Sequence, residues 1–162
     1  MFDTIFGLPL HPLVVHATEV VVPTAALVVL LAAIWPRFRV WAGFLPLALA
    51  LAALALVPVT TQTGEQLQAR VGRSPLVATH ADMAEGLLPW VAGLVVVAGA
   101  VLWWNSPKLE SARARKWVAV VLIAAAVLAS AGTTVQAIRI GHSGATAVWS
   151  GVVSAPALTG NR

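Results

Sequence analysis

Four long apolar runs divide this chain, and short polar stretches separate them. A hydrocarbon core about 30 Å thick takes roughly 20 apolar residues as helix. The runs at 13–35, 40–61, 83–104 and 117–138 each meet that length. Only His16 and Glu19 interrupt the first run, the second carries no charge, and the third has Glu85 at its start. Apolar residues are continuous along each run rather than alternating, which argues against β-strands, since an open sheet leaves backbone groups unpaired in lipid. The pattern predicts an all-α integral membrane four-helix bundle, up-down-up-down, forming one transmembrane domain over residues 1–162.

Composition agrees. Hydrophobic residues make up 59% of the chain and charged residues 10%, against about 25% charged in a soluble domain. Lipid is therefore the expected solvent for the outside of the bundle. The net charge of +4 does not point to nucleic acid, because the basic residues sit in short loops, where they act as topology signals. Arg37 and Arg39 follow the first run, and Lys108, Arg113, Arg115 and Lys116 follow the third. Facing them are Arg70, Arg73, Arg139 and Arg162, diluted by Asp3, Glu65, Asp82 and Glu85. The positive-inside rule puts the 36–39 and 105–116 loops in the cytoplasm and both termini outside. The expected location is a bacterial cytoplasmic (inner) membrane, crossed several times. Met1 to Leu10 has no basic stretch, so the first run is expected to remain in the mature chain.

Trp35, Trp41, Trp103, Trp104 and Trp117 fall at the cytoplasmic ends of the runs and read as an interfacial belt. Trp90 and Trp149 lie outside it. Ala48, Ala52 and Ala55 in the second run, and Ala125, Ala129 and Gly132 in the fourth, are expected to form smooth packing stripes. Pro23, Pro58 and Pro89 sit in the outer halves of three runs, where kinks would open space between helices. No internal repeat stands out.

The chemistry-bearing residues gather at the other end. Alternating helix direction brings His11, His16, His80 and His142 to the outer level, with Thr60, Thr61, Gln62, Thr63 and Glu65. His16 and Glu19 are three residues apart, on one helical face and near the hydrocarbon, where ionisable groups are costly and usually functional. Each histidine alone has a plainer explanation. His11 precedes Pro12 at a helix start. His80 follows Thr79, a residue suited to N-capping, and precedes Asp82, which suits the helix dipole. His142 follows Gly141, a residue suited to ending a helix. Arg139 has a plain role as a snorkelling side chain. Four histidines from three helices at one level are harder to explain that way.

Three function classes follow. A b-type haem needs axial histidines from facing helices. His16 with His80 or His142 is one such pair, His11 is a further donor, and Arg139, Arg70 and Arg73 are available to propionates. Such a protein would pass electrons to a periplasmic or membrane redox partner. A non-haem zinc, copper or iron ion would draw on His11, His16, His80, His142, Glu65 and Glu19, and with an open position such a site would be hydrolytic. A third class has no cofactor, and the polar cluster then fixes the bundle or docks a partner subunit. The absence of cysteine removes thiolate metal sites, iron–sulfur clusters and covalently attached c-type haem from all three.

The segment Gly7-Leu8-Pro9-Leu10-His11-Pro12-Leu13-Val14-Val15-His16 resembles the opening signature of the bacterial domain-of-unknown-function 2231 (DUF2231) membrane proteins. Thr63-Gly64-Glu65, His80 and Gly141-His142-Ser143-Gly144-Ala145 resemble that family's later landmarks. At Ala17-Thr18-Glu19 the chain departs from relatives that carry an aromatic residue and a proline. The resemblance spans nearly the whole chain and implies a four-helix membrane domain without an established activity. Relatives joined to Rieske or cytochrome c domains associate the family with electron transfer.

Overall fold

A computed structural model describes residues 4–72, 74–105 and 116–153. Lys108, Arg113 and Arg115 of the second basic loop, and Asp3, Arg73 and Arg162, lie outside the described residues. The chain begins with a small hairpin of β1 (Thr4–Ile5) and β2 (Leu8–Pro9), with Thr4 opposite Pro9 and Ile5 opposite Leu8. Six helices follow among the described residues: α1 (Leu10–Ile34), α2 (Pro36–Ala42), α3 (Leu45–Val71), α4 (Pro75–Glu85), α5 (Leu87–Trp104) and α6 (Lys116–Val153). Four helical stretches are long and apolar enough to cross a membrane: Leu10–Ile34, Leu45–Val71, Pro75–Trp104 and Lys116–Val152. The expected all-α four-helix bundle is present, with α4 and α5 together forming the third member.

The first break comes where the sequence places proline. Pro36 forces Trp35 into extended backbone and then opens α2 at its first position. α2 is a short helix carrying Arg37 and Arg39, with Phe38 stacked on Trp35 at a ring separation of 6.1 Å and tilted against Trp41 at 5.6 Å. Gly43 ends it at φ +51°, a conformation glycine adopts without strain. Val40, Trp41 and Ala42 therefore belong to this helix, and the second crossing starts at Leu45 rather than at residue 40.

α1, α3, α5 and α6 pack in that cyclic order, with α1 and α5 also meeting across the diagonal. Val22, Ala25, Ala26, Val29, Ala32 and Ala33 line one face of α1 at helical spacing and are buried. Leu87, Val91, Leu94, Ala98 and Val101 do the same on α5. On α3 the buried stripe is Pro46, Ala50, Ala53 and Val57. The expected stripe of Ala48, Ala52 and Ala55 is not the packed one, since Ala52 and Ala55 face outward. Alanine recurs all round this helix, so size alone does not set its rotation. α6 packs through the expected Ala129 together with Ala126, Ser130 and Thr133, and the expected Ala125 and Gly132 are half-buried beside them. Val20, Leu27, Val96, Leu128 and Ile138 point outward, as lipid allows and water would penalise.

Trp90 gains an explanation here. A Cβ built on Gly132 would sit 2.1 Å from the Trp90 ring, so the indole of α5 occupies the space that a side chain on α6 would need. Ser130 Oγ–H donates to the Ala26 carbonyl at 2.9 Å, tying α6 to α1. Gln136 Nε2–H donates to the Met83 carbonyl at 2.7 Å, tying α6 to the end of α4.

Candidate functional site at the polar end of the bundle

At the polar end, helices continue where turns were expected. α4 begins at Pro75, capped by Ser74, whose Oγ accepts from Val77 N at 3.2 Å. Thr79 is inside that helix and donates its hydroxyl to the Pro75 carbonyl, so it is not the cap. Thr63-Gly64-Glu65 lies within α3, and Gly141 and His142 lie within α6. A helical glycine costs about 1 kcal/mol relative to alanine. Gly64 and Gly144 offset that cost by admitting a neighbour's side chain.

That neighbour is a histidine in both cases. The N-terminal hairpin turns through Phe6 and Gly7 at φ +51° and +79°, matching the twist a two-residue turn needs. It delivers the chain to Leu10, so that His11 stands in the first turn of α1. The His11 ring rests on Gly64, where a Cβ would come 3.0 Å from Cε1. Its Nδ1 lies 3.2 Å from the Thr60 carbonyl and 3.3 Å from Thr63 Oγ1. Across the bundle the His80 ring rests on Gly144 with the same 3.0 Å approach. His80 Nδ1 lies 3.0 Å from Ser143 Oγ.

The tautomers follow from the partners. Thr63 donates its hydroxyl proton to the Thr60 carbonyl, and Ser143 donates its own to the Ile140 carbonyl. Both hydroxyl oxygens are then left as acceptors, and a carbonyl only accepts. Nδ1 must carry the proton in both neutral rings. The lone pair is therefore on Nε2 in each, and neither Nε2 is hydrogen-bonded within the described residues. Holding a histidine by Nδ1–H is how proteins present Nε2 as a ligand or base. His11 and His80 are also close enough for their charges to interact.

Gln66 adds a third acceptor. Its Oε1 is buried and has no partner among the described residues, and it follows Thr63 by three residues, on the same side of α3. A second polar seam lies deeper, where Thr18 of α1 and Thr60 of α3 share a hydrogen bond at 2.7 Å.

The remaining predicted residues are placed differently. His16 is exposed, and its Nδ1–H bonds the Pro12 carbonyl of its own helix. His142 and Arg139 are exposed on α6. The Glu19 carboxylate lies against Gly141, 3.5 Å from where a Cβ would stand. Glu65 is exposed on the flank of α3 that faces α4. The structure does not assemble His11, His16, His80, His142, Glu65 and Glu19 into one ligand set. Among the described residues no three of His, Asp and Glu come together as a metal group. The physical reason is rotation: His16 and His11 are five residues apart on α1, so when one faces α3 the other faces out.

Sequence reasoning did not anticipate the two clamps, nor the likeness between them. Each half of the chain starts with a histidine at the polar end and reaches a tryptophan 24 residues later, His11 to Trp35 and His80 to Trp104. Each half returns to a similar tripeptide, Gln62-Thr63-Gly64 and His142-Ser143-Gly144. The cyclic packing order maps α1 and α3 onto α5 and α6, as a parallel repeat about the membrane normal would. The shared 24-residue spacing and the similar tripeptides are the signal available in the sequence.

The family model for predicted membrane proteins designated DUF2231 matches residues 7–156, and the chain belongs to that family. No curated protein and no solved structure matches the chain.

Proposed function

We propose that the polar end of the bundle binds a b-type haem through His11 and His80 and serves electron transfer. The observation that carries this reading is the matched pair of imidazoles, each held through Nδ1–H and each offering Nε2. A haem supplies four of its own iron ligands, so two protein donors suffice. A structural or hydrolytic zinc site needs three or more, and among the described residues no third His, Asp or Glu joins His11 and His80 in such a group. The donor chemistry thus fits haem better than zinc, copper or iron ions. Bound haem would supply one-electron redox chemistry. The chain's own part is to hold both imidazoles in the Nδ1–H tautomer, through Thr60 and Thr63 on α3 and Ser143 on α6. Arg139 stands one turn from Ser143 on α6, where a propionate is a natural partner.

In this reading the membrane is a bacterial cytoplasmic one, both termini face outward, and the electron partner is a periplasmic or membrane protein. The excess of positive charge in the 36–39 and 105–116 loops supports that direction.

The test is an absorption spectrum of the detergent-purified protein before and after dithionite, with haemin reconstitution if it is colourless. A Soret band and sharp reduced α and β bands are expected. His11→Ala and His80→Ala should each abolish or strongly deplete them, while His16→Ala and His142→Ala keep them. Bands that survive loss of both His11 and His80 would refute the ligand assignment. A protein that takes up no haem on reconstitution, and in which the same substitutions only lower thermal stability, would leave the clamps as helix-to-helix ties.

A further inference from the structure

A groove of about 330 Å³ opens between α3 and the junction of α4 with α5. Val57, Pro58 and Leu88 line one part of it, and Gln62, Glu65 and Glu85 line the other. All except Val57 are exposed, so the groove lies on the circumference of the bundle. No Lys, Arg or His lines it.

Depth separates the two parts. At 1.5 Å per residue, Glu65 stands about 30 Å along α3 from Leu45, and Glu85 about 28 Å along α5 and α4 from Trp104. That is the thickness of the hydrocarbon core. Val57, at about 18 Å, and Leu88, at about 24 Å, lie within it. The groove therefore has an apolar floor at acyl-chain depth and two carboxylates, from two different helices, at headgroup level. A carboxylate at that boundary loses part of its hydration and gains from a charged donor.

We propose that this groove seats a membrane lipid whose head is a primary ammonium, with the ammonium between Glu65 and Glu85. A primary ammonium offers three N–H donors, whereas a trimethylammonium head offers none and a head whose only charge is its phosphate is repelled. The first acyl carbons cover Val57, Pro58 and Leu88. A soluble amine would leave that floor bare, which is why the occupant is a lipid. This site is independent of the haem reading, because neither histidine clamp lines it.

The experiment is native mass spectrometry of the purified protein exchanged into equimolar phosphatidylethanolamine, phosphatidylcholine and phosphatidylglycerol. Phosphatidylethanolamine should be retained about tenfold over the other two, the discrimination that charge-assisted hydrogen bonds supply. Glu65→Gln combined with Glu85→Gln should reduce that preference to the phosphatidylcholine level at an unchanged melting temperature. Leu88→Trp fills the floor, leaves both carboxylates in place, and should also lower phosphatidylethanolamine retention; it decides the matter if the double variant does not fold. Equal retention of the three lipids, or a preference that survives both variants, would overturn the proposal. So would free ethanolamine displacing the bound lipid at concentrations that match it, because the head alone would then account for binding.

Discussion

Replacing Gly132 with alanine tests the packing that places the α5–α6 half of the polar end. The added methyl carbon would lie 2.1 Å from Trp90 Cζ3, 2.2 Å from Cε3 and 2.6 Å from Cη2. Carbon atoms in good contact sit about 3.5–4.0 Å apart, so the ring must retreat by roughly 1.5 Å. It has only one way to go. Trp90 is 36% exposed on its lipid side, while Val91 and Leu94 on the same helix are fully buried and cannot follow. Swinging the indole outward, or parting α5 from α6, costs about 1–3 kcal/mol, the usual range for overpacking. In a chain of this length each kcal/mol moves the melting temperature by about 2–4 °C. Gly132→Ala should therefore melt roughly 2–12 °C lower than the parent in the same detergent. Trp90→Ala removes the obstacle, and adding Gly132→Ala to it should cost little more. A Gly132→Ala protein with an unchanged melting temperature would refute the reasoning. So would strict additivity with Trp90→Ala, since the two residues would then not be in contact.

Two further substitutions probe the polar atoms of the core. Thr133 is 0% exposed and its hydroxyl has no partner among the described residues, so Thr133→Val should leave stability unchanged or raise it by about 1 kcal/mol. A clear loss in thermal denaturation would mean that the hydroxyl is bonded, to water for example. Ser130→Ala removes the 2.9 Å bond to the Ala26 carbonyl between α6 and α1, and the expected loss is about 0.6 kcal/mol, with about 1.7 as an upper figure. A loss well above that range would assign Ser130 more than a single interhelical bond.

The limits of sequence reading are visible at particular residues. Helix ends were the weakest point. Gly141 has the chemistry of a helix stop, yet α6 runs on to Val153, because its glycines lie against Glu19 and His80 instead of ending the helix. Thr79 has the chemistry of an N-cap, yet Ser74 takes that role and adds more than a turn to α4. His16 lies deep in the first apolar run, yet its side chain faces outward. His11 looked like a helix-start residue at the interface, and it is the one clamped between helices. In each case the local signal is genuine, and a neighbouring helix decides which residue uses it.

Four apolar helices long enough to cross, an all-α bundle, the collection of tryptophans at one end (with Trp104 packed into the core) and of histidines at the other are all legible in the sequence alone. They depend only on run length, apolar continuity and the alternation of chain direction, which the bilayer imposes on any such chain. Tertiary structure decided helix rotation and close approach. A run that is apolar all round does not specify which side turns inward, so Ala50 rather than Ala52 packs on α3, and His11 rather than His16 faces the bundle. The two histidine–hydroxyl–glycine clamps exist only once α3 meets α1 and α6 meets α4, because each joins residues more than fifty positions apart.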